Sequence, residues 1–194
     1  MSSKSIKTLE KEIKRLRELA FKDELTALYN RRGFKEESFK FLREAAASKK
    51  FKGKRKSFFI NNFSLIIFDI DNFKKLNDTC GHDAGDEAIK FLAKIIRERV
   101  RAIDTIARWG GEEFLVGLVG ASENDADVIA ESIREKAAGA KFKWRGKNLR
   151  FTVSGGVSDL RKFKTFEDLF NAADKALYKA KRTGKNKIVK FGEL

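Results

Sequence analysis

An acidic segment, FDIDNFK at 68–74, overlaps the end of a continuous apolar run at 65–68. An unbroken apolar run of this kind is typical of a strand that is buried on both faces. Asp69 and Asp71 lie at the exit of that strand, where burying a carboxylate costs free energy unless a partner neutralises it. The segment therefore indicates a charged site at the end of a core strand.

A second acidic segment, RWGGEEF at 108–114, combines two glycines with two glutamates. The glycines permit a hairpin turn, after which Glu112 and Glu113 begin another apolar strand. If this strand neighbours the first, Asp69, Glu112 and Glu113 come close together and their like charges repel. A hard divalent cation with oxygen ligands removes that repulsion, and Mg²⁺ is the usual choice beside phosphates.

Four blocks of the sequence, in order, resemble the GGDEF family, the diguanylate cyclases, with the signature in the form GGEEF. The blocks are DELTALYNRRGF at 23–34, DIDNFKKLNDTCGHDAGD at 69–86, RWGGEEF at 108–114 and ADKALYKAKRTGKNKIV at 173–189. The resemblance covers residues 23–191, almost the whole chain. A single GGEEF is weak evidence, whereas four ordered blocks with matching spacing are strong evidence.

The resemblance implies an α/β (α+β) domain over residues 23–194, with a mixed, largely antiparallel central sheet flanked by helices. Such a fold is similar to the palm of nucleotidyl cyclases and polymerases. The resemblance also implies an enzyme that condenses two GTP molecules into cyclic di-GMP, releases two pyrophosphates and depends on Mg²⁺ (or Mn²⁺). Because each domain holds one GTP, two domains must face each other in a dimer.

By the same resemblance, the family's metal-binding and catalytic positions fall on the two acidic segments. Asp69, the carbonyl of Ile70 and Glu112 would hold metal, and Glu113 would bind a second ion or assist deprotonation. Two metal ions about 4 Å apart stabilise the attacking and the leaving oxygen of an in-line displacement. The alternative for these acids is a solvated turn without metal.

Phosphates need hydrogen-bond donors and positive charge. We expect the amides around Asn72, Phe73 and Lys74, in a turn after the strand, to form an anion-binding nest. Lys181 and Lys185 would supply charge from the end of the last helix. The family usually has arginine in place of Lys185, and lysine lacks the bidentate fork. Either lysine could instead stabilise the C-terminus of the helix.

Guanine selection requires an acceptor for the N1 and N2 donors of the base. The resemblance places Asn77 and Asp86 in that role, although both also suit structural loop and N-cap positions. His82, the one histidine of the chain, lies between them. We expect it to tie down the loop through hydrogen bonds, because Mg²⁺ favours oxygen ligands.

The RAID segment at 101–104 contains an RxxD pattern, with five residues between Asp104 and Gly110. This pattern and its position resemble the family's product-inhibition site. There, Arg101 would grip guanine or a phosphate as a fork, and Asp104 would accept a hydrogen bond from the base. The alternative is an ordinary ion pair at a helix end.

Residues 1–22 have a narrow apolar stripe with charged residues between its members, which are Ile6, Leu9, Ile13, Leu16 and Ala20. Spacings of three and four residues are those of a coiled-coil seam. We expect an N-terminal helical stalk that pairs two chains into a homodimer and follows an upstream sensor domain. The alternative is an amphipathic helix that packs on its own domain.

The composition limits the remaining possibilities. A chain of 194 residues with 42% hydrophobic content has room for one domain and a short accessory element. It lacks both a membrane-length apolar run and the apolar core of a signal peptide, so we expect a cytoplasmic protein. The lone Cys80 fits a reducing compartment.

The net charge of +15 predicts attraction to anions without choosing among nucleotides, nucleic acid and an acidic membrane surface. Part of the excess lies in KKFKGKRK at 49–56, where we expect a basic, glycine-containing loop. Such a run usually faces water, and the alternative is a contact with anions or a membrane surface.

Periodicity predicts the other elements of the domain. Helices are expected at 31–47, 86–100, about 126–137 and 166 to near 184; strands are expected at 63–70, 105–109, 113–119, 151–157 and 187–191. We expect the strand at 151–157 to continue a hairpin whose turn lies at 145–148.

Two other functional classes are alternatives to the enzyme. A catalytically inactive domain of the same fold would bind GTP or cyclic di-GMP as a sensor. A nucleic-acid-binding protein would explain the basic charge but none of the carboxylate spacing, so no nucleic-acid partner is expected.

Overall fold

The computed structural model describes residues 3–50, 62–163 and 165–194. The helices are α1 (Ser3–Phe21), α2 (Arg31–Lys50), α3 (Phe73–Cys80), α4 (His82–Arg97), α5 (Glu123–Gly139) and α6 (Phe166–Arg182). The strands are β1 (Phe63–Ile70), β2 (Thr105–Arg108), β3 (Glu113–Val119), β4 (Phe142–Trp144), β5 (Lys147–Leu149), β6 (Val153–Asp159) and β7 (Ile188–Lys190). Short 3₁₀ turns lie at Leu160–Lys162 and Phe191–Glu193.

The central sheet has the strand order β2-β3-β1-β6-β7. All its pairings are antiparallel except the parallel pairing of β6 with β7. Strand β1 is the middle strand, and its continuous apolar run is buried on both faces as its sequence predicts. The mixed, largely antiparallel sheet flanked by helices is therefore confirmed.

The two faces of β1 serve two different cores. Ile66, Phe68 and Ile70 pack with α4 and α5 on one face. Leu65 and Ile67 pack with α2 and α6 on the other. Since side chains alternate along a strand, residue 69 must point to the α6 side of the sheet.

Two elements differ from the sequence-based prediction. The strand expected at 151–157 is β6, which begins at Val153 and joins the central sheet beside β1 rather than continuing the hairpin. The hairpin of β4 and β5 forms its own two-stranded sheet, with a turn at Arg145 and Gly146 where both residues have positive φ. Long-range pairing with β1 decided the place of β6, and that pairing leaves no local signal.

A helix, α3, occupies residues for which a turn and a loop were predicted. It has no fully buried residue, and only two large apolar residues, Phe73 and Leu76, pack partly buried against the core, so its helical signal is short. The helix predicted from 86 also begins earlier, at His82. Helix α2 runs three residues beyond the predicted end and includes the first two residues of the basic segment, while residues 51–61 lie outside the described residues.

The apolar stripe of α1 is exposed in the single chain. Ile6 is 46% exposed, and exposure rises to 56% at Leu16. The stripe therefore does not pack on its own domain, which was the alternative to a pairing helix. Within the described residues, no helix combines the length and the apolar character that a membrane span requires.

Gly156 of β6 lies where α6 crosses the sheet, and a Cβ atom there would be 2.0 Å from the Ala173 carbonyl oxygen. We expect Gly156→Ala to lower the free energy of unfolding by about 1–3 kcal/mol, because α6 must move off the sheet. Urea unfolding measures the difference. Gly139→Ala is the control, since nothing lies within 4 Å of a Cβ atom at that position. Equal stability of Gly156→Ala and the parent protein would contradict this packing.

Candidate active site

The site forms at the end of β1, where the two acidic segments meet. Asp69 lies directly opposite Glu113 in the antiparallel register of β1 and β3. Opposed residues in such a pair project from the same face, so both carboxylates lie on the α6 side of the sheet. Glu112 occupies the turn just before β3, which the Trp109 amide closes by donating to the Glu113 carbonyl at 2.8 Å.

The ammonium group of Lys181, near the end of α6, lies among the oxygen atoms at the exit of β1. Its Nζ atom is 2.5 Å from Asp69 Oδ1 and 3.0 Å from Asp71 Oδ1. It also lies 3.4 Å from the carbonyl oxygen of Ile70. The contact bridges residues more than a hundred positions apart and places the phosphate-binding candidate on the acidic cluster.

Asp71 is the best-anchored acid of the site, although no catalytic or binding role was predicted for it. It accepts hydrogen bonds from Ser154 Oγ at 2.7 Å, from Thr152 Oγ1 at 2.8 Å and from the Asn186 amide at 2.9 Å. Burial alone would raise its pKa, but these hydrogen bonds outweigh that effect and the pKa is lowered. These hydrogen bonds favour the ionised form of Asp71 and join the end of β1 to β6 and to the segment after α6.

The pKa values of Asp69 and Glu113 move the other way. Burial is the main cause of the raised pKa of Asp69; Lys181 opposes it, and the charges of Glu112 and Asp71 add to it. The pKa of Glu113 is raised by burial and then by the charge of Asp69. Both carboxylates thus lie in a field with excess negative charge, as expected from the sequence.

Two further residues at this site were missed by sequence reasoning. Asp174 of α6 adds to the raised pKa of Glu113, while Arg31 at the start of α2 opposes it. The Arg31 guanidinium lies 4.6 Å from the centroid of the Trp109 ring. Asp174 lies seven residues before Lys181 on the same helix, and this spacing could have indicated that Asp174 also faces the site.

The donor set fits Mg²⁺ in its chemistry. The residues described contain no ready cage of three or more His, Cys, Asp or Glu side chains. However, Asp69, Glu112 and Glu113 offer hard carboxylate oxygens, and the Ile70 carbonyl already accepts a cation, the Lys181 ammonium. Oxygen donors with uncompensated negative charge are what a hard divalent cation prefers.

The predicted phosphate-binding nest is the N-terminus of α3. Asn72 precedes the helix in a left-handed conformation, and its side chain makes no capping hydrogen bond. Phe73 and Lys74 begin the helix, so their amides have no partner within it. Lys185 Nζ lies 2.5 Å from Asn72 Oδ1, which brings the second predicted lysine to the same helix end.

The structural alternative for Asn77 and Asp86 placed them in a loop and at an N-cap. The structure places Asn77 within α3 and Asp86 within α4. The two helices approach closely at Gly85, where a Cβ atom would lie 2.0 Å from Asn77 Oδ1. Asn77 Oδ1 is buried without a hydrogen-bond partner, and Asp86 is exposed. A buried acceptor without a donor beside an exposed carboxylate suits a ligand that donates hydrogen bonds.

His82 does not tie down a loop, which corrects that expectation. It is the exposed first residue of α4, and its side chain makes no hydrogen bond to the described part of the chain. Gly81, which separates α3 from α4 with a φ of 88°, makes the sharp change of direction instead.

Arg101 and Asp104 form a pair on the α4–β2 connection. Asp104 has no exposed side-chain surface; it accepts hydrogen bonds from the Arg101 guanidinium and from the Val119 amide. The Arg101 side chain is 61% exposed, and its pKa is raised by the hydrogen bond to Asp104. In this structure Asp104 orients the arginine and has no free face for a base.

The chain is similar to a known protein family and to several characterised proteins. The family model for the diguanylate cyclase GGDEF domain matches residues 20–187. The chain belongs to the GGDEF family. Diguanylate cyclase DgcP of Pseudomonas aeruginosa is 36% identical to the GGDEF chain over 172 residues, which are 89% of this chain and 24% of that protein. Response regulator PleD of Caulobacter vibrioides is 38% identical over 175 residues, which are 89% of this chain and 36% of that protein.

A solved structure matches almost the whole chain. The coiled coil and GGDEF domain of DgcB from Caulobacter crescentus, in complex with c-di-GMP, superposes with a TM-score of 0.86 at 28% identity. The match covers 97% of this chain and 94% of that one. The GGDEF chain spans about a quarter of the length of DgcP and about a third of that of PleD.

Proposed function

We propose that the GGDEF domain is a Mg²⁺-dependent diguanylate cyclase that condenses two GTP molecules into cyclic di-GMP. The observation that supports this function most is the pairing of Asp69 with Glu113 across β1 and β3, with Lys181 on the same face. The curated relatives named as diguanylate cyclases support the same activity. The role of each residue below is part of the proposal.

The triphosphate is held at two positions. The free amides at the start of α3, at Phe73 and Lys74, donate to its oxygens, and the helix dipole adds a partial positive charge there. Lys181 and Lys185 reach the same region from α6 and the turn after it. These donors hold the α-phosphate near the carboxylates and orient it for in-line attack.

Asp69, the Ile70 carbonyl, Glu112 and Glu113 would hold divalent metal. A divalent ion held there would supply positive charge to the phosphates and to the reacting oxygens. Glu113, which lies opposite Asp69 on the same face of the sheet, would bind a second ion or assist deprotonation of the ribose 3'-hydroxyl.

The guanine base lies between α3 and α4. Asn77 Oδ1, which has no donor in the structure, accepts from the base, and the exposed Asp86 accepts a second hydrogen bond. Adenine presents a different donor pattern and leaves these acceptors unpaired, which costs binding free energy.

One domain supplies half of the reactants, so catalysis requires two domains face to face. The exposed stripe of α1 supports pairing through the N-terminal helix, because burying it against a second copy removes apolar surface from water. A homodimer joined by α1, and a sensor domain upstream of it, belong to the proposal.

Incubation with GTP and Mg²⁺, followed by chromatographic analysis, tests the function. The expected result is cyclic di-GMP with two pyrophosphates per product, and no product from the Glu112→Ala, Glu113→Ala variant. A protein that binds GTP or cyclic di-GMP but forms no product would be the sensor module instead, and the cyclase proposal would be wrong.

Feedback inhibition through Arg101 gives a separate prediction. Because Asp104 is buried and orients the exposed guanidinium, Arg101 is the group that meets the product. Arg101→Ala should weaken inhibition by added cyclic di-GMP about tenfold or more, by loss of charge-assisted hydrogen bonds. The measurement is the inhibition constant, taken relative to each variant's own uninhibited rate.

Arg99→Ala is the matched control, since Arg99 is also exposed nearby and donates to Ser132 Oγ at 3.0 Å. An unchanged inhibition constant in Arg101→Ala, or an equal change in both variants, would rule out the assignment.

A further inference from the structure

The Lys181 ammonium contacts two of the oxygen atoms that the proposed function assigns to metal. These are Asp69 Oδ1 and the carbonyl oxygen of Ile70, at 2.5 and 3.4 Å. A divalent cation and an ammonium group on the same two oxygens would repel each other strongly at such short separations. Lys181 and a metal ion therefore compete for this position.

Lys181 also contacts a second carboxylate, that of Asp71, which is not among the proposed metal ligands. Asp71 Oδ1 lies 3.0 Å from Nζ, and the Asp71 side chain is only 1% exposed. The hydroxyl groups of Thr152 and Ser154 hold this carboxylate in place without any contribution from Lys181. The lysine can thus leave Asp69 while it keeps one ionic partner.

The position of Lys181 on α6 allows such a movement. Its side chain is 23% exposed, so it is not enclosed by the protein. The free amides at the start of α3 follow the same β1 exit, and Lys185 contacts Asn72 there. A triphosphate held at this helix end brings negative charge next to the ammonium, which gives it a new partner in place of Asp69.

We propose that Lys181 is a placeholder cation, which occupies the metal ligands Asp69 and Ile70 until a nucleoside triphosphate draws it away, with Asp71 as the residue that positions it. The inference rests on the metal ligands assigned under the proposed function. It makes metal binding depend on the nucleotide, because without nucleotide the Lys181 ammonium already occupies two of the oxygen ligands. It also gives Lys181 two opposite effects, since it opposes the metal in the free protein and supports the triphosphate in the complex.

The test is titration of the full chain with Mn²⁺ alone, without nucleotide and above neutral pH, with free Mn²⁺ measured by electron paramagnetic resonance. We expect Lys181→Met to bind Mn²⁺ about tenfold more tightly than the parent protein, because the competing charge-assisted hydrogen bonds are gone. The same variant should bind a non-hydrolysable GTP analogue more weakly. Lys181→Ala also removes the charge but leaves no long side chain at the site. It should repeat both changes if the charge is their cause.

Lys185→Met is the matched control. It removes the same charge four residues further along the chain, but Lys185 contacts Asn72 rather than Asp69. Its Mn²⁺ affinity without nucleotide should stay close to that of the parent protein. An affinity that is unchanged in both Lys181 variants, or that rises equally in Lys185→Met, would overturn the placeholder role.

The outcomes for the placeholder and for the enzyme are separable. If the parent protein makes cyclic di-GMP but neither Lys181 variant changes the Mn²⁺ affinity, the proposed function stands and the placeholder role is wrong. A parent protein that makes no product refutes the cyclase, whereas tighter Mn²⁺ binding by Lys181→Met would still show that the lysine competes with metal.

Discussion

Asp69→Asn is expected to lower the rate of cyclic di-GMP formation by at least about 100-fold, the usual cost of removing one electrostatic element of a preorganised site. The substitution keeps the shape of the side chain and removes its charge. It takes away the carboxylate opposite Glu113 and the ionic partner of Lys181. The measurement is the initial rate with saturating GTP and Mg²⁺.

The control for charge removal is Asp127→Asn on α5. Asp127 pairs with Lys190, which lies at the end of β7 and also pairs with Glu193. Its loss should leave the rate within about twofold of the parent protein, because α5 packs on the face of the sheet opposite Asp69. A rate for Asp69→Asn above a tenth of the parent rate would contradict the role of Asp69 as a metal ligand.

Removal of residues 1–20 should lower the rate per chain most strongly at low protein concentration. A paired stalk makes the meeting of two half-sites intramolecular, and such linkage increases apparent affinity about 10²- to 10⁴-fold. We therefore expect a loss of about 100-fold in dilute assays and recovery as the concentration of the truncated protein rises. The check is the rate per chain over a series of protein concentrations.

A full-length variant separates pairing from the length of the stalk. Leu9→Glu with Leu16→Glu places charge in the exposed stripe and leaves the rest of α1 unchanged. It should show the same concentration dependence as the truncated protein. Activity per chain that is equal to that of the parent and independent of concentration, in both variants, would show that α1 does not join the half-sites.

An ion pair connects the end of α1 with the hairpin turn of the site. Arg108 lies 3.2 Å from Asp23, just after α1, and also donates to the Gly111 carbonyl in the hairpin turn. The Asp23 carboxylate accepts in turn from the amide and hydroxyl of Thr26. The turn that presents Glu112 is thus tied directly to the base of the helix.

Local patterns in the sequence were sufficient for several elements. Strand β1 has the predicted bounds, because its apolar run is continuous and is ended by acids. The hairpin of β2 and β3 follows from adjacent glycines between two apolar segments. Helix α6 follows from its periodic apolar face, and the structure adds a cap at Thr165, whose side chain accepts from the Asp168 amide. These signals lie within a few residues of the structure that they determine.

Helix α3 was missed because its local signal is short. It is 8 residues long, and its two large apolar residues at helical spacing, Phe73 and Leu76, are only partly buried. The place of β6 depends instead on pairing with β1, a distant segment, so the local sequence contains no trace of it.

For the site itself, the sequence by itself determined which residue types are present and their order, including the acids at the ends of two strands. Only the tertiary structure decided that Asp69 faces Glu113 and that the buried Asp71 accepts three hydrogen bonds. It also decided that Lys181 contacts the proposed metal ligands. The reason is physical: residue type and spacing act over short stretches, whereas these contacts join side chains that are brought together by the pairing of β1 with β3 and β6 and by the packing of α6 against the sheet.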